Sequence, residues 1–473
     1  MPPARSLVDG AWAPATRTLT GTLEDPATGA VLGPRLGSTR AEVEAALAAA
    51  DRAAASWAAV PPGERADLLD ACADALEATV GRIVAVESAS TGVPIRQATP
   101  LGFIVTGSFR LAAAQLREGW LTRTVTRDDG NPVTVELLPW GPALCLVPWN
   151  APAPMAAHKA ANALAAGCPT IVKPSEYAPA GTQLLAETIA GLLPPGVLQL
   201  LHGGPEVGAA LVGDPRVRAV SFTGGVPGGR AVAGQCASGL KPVQLELGGN
   251  NPLVVLPDAD VDAAARAAVD LLTTLNGQWC RALGRLIAPH GLLPRLLAAI
   301  GERLAALRVG DPADPATELG PLIHSGHRAL VAARLLDLGG KAHTYTDVPA
   351  GGNFFAPALV TGAAEEPARH EIFGPVATVH GYDTVEQAVA LANDTAYGLE
   401  GYVFGTDEAA ALAVARRIRA GEVKVNGSSV MSLHLFTPRP AWGVSGLVEE
   451  GTAETLRFFT NSRVTGVENG FAL

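Results

Sequence analysis

The chain has 473 residues, 48 % of them hydrophobic and 17 % charged, a balance that fits a globular protein of two or three domains and excludes a disordered one. A formal net charge of -10 excludes a broad nucleic-acid surface, which needs clustered Lys and Arg. The opening MPPARSLVDG has no apolar h-region, and no apolar run reaches the roughly 18 residues of a membrane span.

The longest apolar candidate, 155–172, is interrupted by His158, Lys159 and Asn162. The expected setting is therefore a soluble protein in a reducing compartment, the cytoplasm. Cysteines stand at 72, 145, 168, 236 and 280. No two form a C-x-x-C pair and no Cys/His spacing fits zinc, so no metal is expected. An odd count argues against a disulfide framework.

In chain order, Thr39 followed by Glu42 is a capping-box pattern, and it predicts an amphipathic helix over 40–59. A second helical region covers 61–91. Residues 122–139 hold Asp-Asp-Gly-Asn between two alternating runs, which predicts a β-hairpin and a protein-contact arm. Strands are then expected at 142–150, 169–175, 197–203, 219–225, 242–249 and 251–256. Helices are expected between them, at 153–166, 180–193 and 205–212. Apolar strands without alternation, interleaved with helices, predict a parallel doubly wound sheet. A long helical stretch from 261 leads to GQWCRA (277–282). A second α/β pattern follows, with helices at 292–308, 384–393 and 407–420 and strands at 354–361 and 375–381.

Ligands of such a sheet bind beyond the carboxyl ends of the strands. The residues there are Asn150, the run Lys173 to Glu176, Gly224-Gly225 and Glu246 with its two following glycines. The segment FTGGVPGGR (222–230) reads as a phosphate-approaching turn or as an ordinary tight turn. Lys173 and Glu176 read as ribose contacts or as a solvated pair. Cys280 is either a small buried hydrophobe or a nucleophile. A thiolate, an amide donor for an oxyanion and a carboxylate able to activate water make up the parts of acyl-thioenzyme chemistry.

The motifs PWN (148–150), KPSE (173–176), FTGG (222–225), LELGG (245–249), GQWC (277–280), GPL (320–322), EIFGPV (371–376) and NDTAYGL (393–399) occur in this order. Together they resemble the aldehyde dehydrogenase superfamily, over about residues 8–470. The resemblance implies an α/β fold with a Rossmann-type cofactor domain, a second α/β catalytic domain and a β-hairpin oligomerisation arm. It implies a NAD-binding domain over 1–121 and 140–246, a catalytic domain over 247–425, and an arm with C-terminal segment over 122–139 and 426–473. TLRFFTNSRV (455–464) would add a strand to the hairpin.

The resemblance also implies roles. Cys280 resembles the nucleophile, Asn150 the side-chain donor of the oxyanion hole, and Glu246 the base for deacylation. Lys173 and Glu176 resemble the adenosine-ribose contacts, and Glu371 and Phe373 the nicotinamide-ribose side. Trp149 and Gly225 would line the cofactor cleft. A carboxylate at Glu176 disfavours a 2′-phosphate, so NAD is expected before NADP.

Trp279, Arg281 and His158 fall at positions that resemble the substrate channel, where relatives often carry other residues. Arg281 and His158 would make that channel polar and favour a carboxylate- or hydroxyl-bearing aldehyde; the alternative is that Arg281 points into solvent or pairs structurally. The segment 440–451 keeps Ser445-Gly446 but lacks the glycine-rich, lysine-containing lead-in of relatives. The expected partner is a small aldehyde, with no nucleic acid and no membrane, and the arm implies a homodimer or homotetramer. The expected reaction is NAD-dependent oxidation of an aldehyde to an acid. Rival readings are acyl transfer to coenzyme A, a non-catalytic binding protein, and a Cys/His hydrolase; Glu246 favours water over coenzyme A.

Overall fold

The computed structural model of the protein describes residues 1–468. Its first long helix, Arg40–Ala59, starts where the capping box places it. The Thr39 hydroxyl accepts from the Glu42 N–H at 3.2 Å, and the Glu42 carboxylate accepts from the Thr39 N–H at 2.6 Å. Val43, Leu47, Ala50 and Trp57 fall on one buried face of this helix.

The first sheet has eight strands. Five central ones are parallel, in the spatial order Leu198–Leu200, Thr170–Pro174, Ala143–Val147, Ala219–Thr223, Val243–Glu246. Short antiparallel strands close both edges, Arg5–Val8 and then Ala11–Pro14 on one side and Gly446–Leu447 on the other. Ala143–Val147 and Thr170–Pro174 are buried throughout. The reason is two cores, one on each face. Ala143, Cys145 and Val147 pack with the helices Pro62–Thr91, Ile95–Arg117 and Pro152–Ala166. Leu144 and Leu146 pack with Val43, Leu47, Val207 and Leu211 on the other face. The chain runs outward in one direction from Ala143–Val147, then crosses back to Ala219–Thr223 on its other side. The topological switch point therefore lies between these two strands, with Trp149-Asn150 beyond one and Gly224-Gly225 beyond the other.

The second sheet has seven strands, ordered Lys341–Thr344, Ala358–Thr361, Val376–Tyr382, Leu283–Pro289, Asn251–Val255, Glu400–Phe404, Glu422–Val425. All neighbours are parallel except the first pair. The run 251–256 does not close the first sheet, as its place in the sequence suggests; it is an interior strand of the second, beside the central Leu283–Pro289. Its alternate residues feed two cores, Leu253 and Val255 on one face and Val254 on the other. Strands at 283–289, 341–344, 400–404 and 422–425 complete this sheet without having been expected. The last two contain Glu400, Glu422 and Lys424, whose charges mask the strand pattern. The helical stretch from 261 stops at Thr273, well short of the cysteine.

The hairpin Thr122–Thr126 with Pro132–Pro139 forms, and Thr460–Gly466 joins it antiparallel, from Thr460 opposite Pro139 to Gly466 opposite Val133. No helix among the described residues is long and apolar enough to cross a membrane.

Candidate active site

The two sheets face each other end to edge. Glu246 is the last residue of its strand in the first sheet. Cys280 lies just ahead of Leu283–Pro289 in the second, so the amino end of that sheet meets the carboxyl end of the first. The loop that carries Cys280 is built from a strained turn. Leu275, Asn276 and Gly277 have φ of 51°, 59° and 74°, a left-handed run that side chains disfavour. Asn276 offsets that strain: its amide donates to Gly92 O at 2.8 Å and Pro321 O at 2.9 Å, and its oxygen accepts from Gly320 N–H at 2.8 Å. Gly277 must be glycine, because an added Cβ would lie 2.3 Å from Pro375 N.

The Asn251 amide donates to the carbonyls of Cys280 (2.9 Å) and Ala282 (2.8 Å), which fixes the backbone around the thiol. Gly249 lets these segments touch; a Cβ there would stand 2.4 Å from Cys280 O. The Asn150 amide donates to Gln278 O at 2.9 Å, two residues before the cysteine. One of its two N–H groups is thus engaged and the other remains for a ligand. The Glu371 carboxylate accepts from Gly249 N–H at 2.9 Å. Trp149 packs edge-on against Phe373, with ring centres 5.3 Å apart, and against His327 at 5.1 Å.

The electrostatics are those of a site sheltered from water. Burial pushes the Cys280 thiol up to about 12; neighbouring Glu246 adds to this and Arg281 opposes it. The thiol is therefore protonated at rest. Burial also raises Glu246 to about 7, with Glu450 adding and Arg281, Arg439 and Lys159 opposing. Glu371 is raised to about 7 by burial, against the hydrogen bond from Gly249. Carboxyls held near neutrality in a cleft mark a place for proton transfer.

The cleft beyond the first sheet fits a dinucleotide. Lys173, at the end of its strand, is buried, and its ammonium donates to Pro174 O at 3.1 Å with no carboxylate within ion-pair distance among the described residues. Burial lowers its pKa, which Glu176 and Glu206 partly oppose. The buried Thr223 hydroxyl has no partner. Gly225 precedes the helix Val226–Ser238, and a Cβ built on it would meet only Pro227, at 3.8 Å. Donors with unmet capacity beside an open helix N-terminus suit ribose hydroxyls and a pyrophosphate.

The proposed substrate group departs from expectation. Trp279 is 7 % exposed and packs into the core of the second sheet. Arg281 is 5 % exposed and does not offer a free charge to a channel. Its Nη1 donates to Glu400 at 2.6 Å and its Nη2 stands 3.7 Å from Glu246, because buried carboxylates on both sides demand a cation. The His158 ring bonds Thr455 Oγ1 at 3.1 Å, and burial lowers its pKa to about 4, so it carries no charge near neutrality. Sequence reasoning missed the ions that surround Glu246. Lys159 is fully buried and bridges Glu450 (2.5 Å) and Ser221 (2.7 Å), and Arg439 also pairs with Glu450 at 3.3 Å. A signal existed: Lys159 is the single ion in an Ala-rich helix, and Glu400 opens an otherwise apolar strand. Ser445-Gly446, noted in the sequence, closes the sheet edge at Glu246, and the Ser445 hydroxyl accepts from Gly398 N–H at 3.0 Å.

Comparison with known proteins agrees with this geometry. The family model described as the aldehyde dehydrogenase family matches residues 12–465. Geranial dehydrogenase of Castellaniella defragrans is 35 % identical over 434 residues, 89 % of this chain and 90 % of that protein. Betaine aldehyde dehydrogenase of Cereibacter sphaeroides is 34 % identical over 458 residues, 94 % of this chain and 93 % of that protein. The structure of a Pseudomonas syringae aldehyde dehydrogenase mutant in complex with NAD+ and octanal superposes with a TM-score of 0.91 at 30 % identity, covering 98 % of this chain and 96 % of that one.

Proposed function

The chain belongs to the aldehyde dehydrogenase family, and from that premise we propose that it oxidises an aldehyde to the carboxylic acid with NAD, through Cys280, Asn150 and Glu246. The observation that carries the assignment is the convergence of these three residues from three separate segments, with the Asn150 amide bonded into the cysteine loop.

Cys280 gives its thiol proton to water as Sγ attacks the aldehyde carbonyl. The free N–H of Asn150 and the backbone N–H of Cys280 hold the resulting oxyanion. A bound nucleotide would supply the hydride acceptor, and Cys280 would then hold the acyl group as a thioester. Glu246, with its carboxyl near neutrality, removes a proton from water and the thioester is hydrolysed. Lys173 and Glu176 would hold the adenosine ribose, Glu371 and Phe373 the nicotinamide ribose, and Trp149 and Gly225 the cleft between them. Glu176 favours NAD over NADP, since a 2′-phosphate would face its carboxylate.

The proposed division is a nucleotide domain over 1–121 and 140–246, a catalytic domain over 247–425, and the three-stranded ribbon with the C-terminal segment. The ribbon exposes Val125 and Val464, and among the described residues its two outer strands each pair on one side only. These features support a homodimer or homotetramer built through it. An elution volume matching a monomer at micromolar concentration would contradict that assembly. All five cysteines are free, in keeping with a reducing compartment such as the cytoplasm.

The test is NADH formation over a panel of octanal, benzaldehyde and succinic semialdehyde, with NAD and NADP in parallel. Turnover with NAD that disappears in Cys280→Ala is expected. Acid formed from these aldehydes without nucleotide, or activity retained without the thiol, would overturn the assignment.

A further inference from the structure

Glu246 has one cation within 4.0 Å among the described residues, the Arg281 guanidinium at 3.7 Å. That distance is too long for a hydrogen bond, so the attraction leaves the carboxylate free to turn toward a water. The guanidinium itself cannot turn. Its Nη1 is bonded to Glu400 at 2.6 Å, and the Arg281 carbonyl accepts from the Tyr402 hydroxyl at 2.9 Å. Glu400 in turn has Lys424 Nζ on its other oxygen at 2.6 Å, and Lys424 also donates to Ser429 O at 2.7 Å. Lys424 also stands 3.5 Å from Glu422, so Glu400 meets Arg281 with one oxygen and Lys424 with the other, and Arg281 Nη2 is left facing Glu246.

The other charges that face Glu246 come from separate elements. Glu450 and Arg439 belong to the C-terminal segment, Lys159 to the helix Pro152–Ala166, and the Cys280 thiol to the neighbouring loop. Lys159 and Arg439 are both paired with Glu450, and of these three Glu450 acts most strongly on Glu246, raising its pKa. Arg281 stands apart from that cluster, on the thiol side.

Resting on the reading of Glu246 as the base, we propose that Arg281 is a positioning residue for deacylation: clamped by Glu400 and Lys424, it orients the Glu246 carboxylate and sets the pH at which that group takes a proton from water. In the step it serves, Glu246 removes a proton as the water oxygen bonds to the thioester carbonyl carbon. The carbonyl then re-forms, the C–S bond breaks, and the Cys280 thiolate leaves and takes up the proton.

The experiment isolates this step from both nucleotide and aldehyde. The whole protein is acetylated on Cys280 with p-nitrophenyl acetate, and loss of the acetyl mass is followed by intact-mass spectrometry across pH. Deacylation by the unaltered protein should rise with a midpoint near neutrality, and Glu246→Gln should lose that rise. An opposite charge at this range moves a carboxyl by roughly 1–3 units, so Arg281→Gln should raise the midpoint by about one unit or more. Arg281→Lys, which keeps the charge, should restore it. Glu400→Gln, which releases the guanidinium and removes a nearby negative charge, should lower it. A midpoint unmoved in Arg281→Gln, or lost rate without a shift in both Arg281 variants, overturns the proposal and leaves Arg281 a structural ion pair. If Arg281→Gln does not fold, a midpoint in Glu400→Gln that stays or rises overturns it. A pH-dependent rise that survives in Glu246→Gln, or a Cys280 that is never acetylated, instead brings down the underlying assignment, and the proposal with it.

Discussion

At the scale of single residues, burial holds two groups of the site away from their ordinary values, one of them in a resting state that looks unsuited to its task. Cys280 has a thiol pushed up to about 12, yet it is assigned as nucleophile. Glu246 has a carboxyl raised to about 7, which suits a base. Both shifts come first from burial, which disfavours charge on either group. The two are linked, because Glu246 is the second cause of the Cys280 shift. Alkylation of Cys280 by iodoacetamide in the free protein should therefore be slow at neutral pH and accelerate into the alkaline range; fast, pH-independent alkylation near neutrality would contradict a sheltered thiol. Glu246 must be ionised to act, so turnover should rise as pH passes upward through about 7. In Glu246→Gln the first NADH burst should persist while steady turnover falls by about 10²–10⁴-fold, the usual contribution of a general base. Loss of burst and turnover together would place Glu246 before acylation.

At the scale of elements, the cysteine loop is where local rules are broken. Three consecutive left-handed residues, two of them not glycine, follow the helix Val261–Thr273 after one intervening residue, Thr274. Each costs of order 1–3 kcal/mol outside glycine, and the Asn276 hydrogen bonds to Gly92, Gly320 and Pro321 over-determine the turn. Gly277→Ala should therefore displace the cysteine loop or lower the stability by more than about 2 kcal/mol, since a left-handed φ and contact with Pro375 act together. A melting curve and activity both unchanged would refute this account of the loop. The helix cap at Thr39 was legible because both of its partners lie three residues apart. The strand Glu400–Phe404 was not, because Glu400 is buried only through cations brought from residues 281 and 424. Local pattern reports hydrophobic burial well and paired-charge burial hardly at all.

At the scale of the whole molecule, buried polar groups join parts distant in sequence. Glu87, in the helix Pro62–Thr91, accepts from Ala153 N–H at the start of Pro152–Ala166, and burial raises its carboxyl to about 8. Its ordinary value is 4.5, so between 4.5 and about 8 the unfolded chain gives up this proton and the native protein keeps it. The native state binds more protons in that window, and stability must fall as pH rises through it. Glu87→Gln should remove this fall, so that the variant gains on the unaltered protein as pH rises from 4.5 to 8 in chemical denaturation; an unchanged difference between the two would exclude it.

The sequence alone determined the strand–helix alternation, the capping box, the hairpin and the order of the eight motifs. Those depend on apolar periodicity, turn chemistry and near-neighbour hydrogen bonds, which act over a few residues. Only the tertiary structure decided that 251–256 belongs to the second sheet, that Asn150 reaches Gln278 across 128 residues of chain, and that Arg281 turns to Glu400 and Glu246. A charge is buried only where its partner arrives, and the arrival of that partner is a property of the packed sheets rather than of the residues on either side.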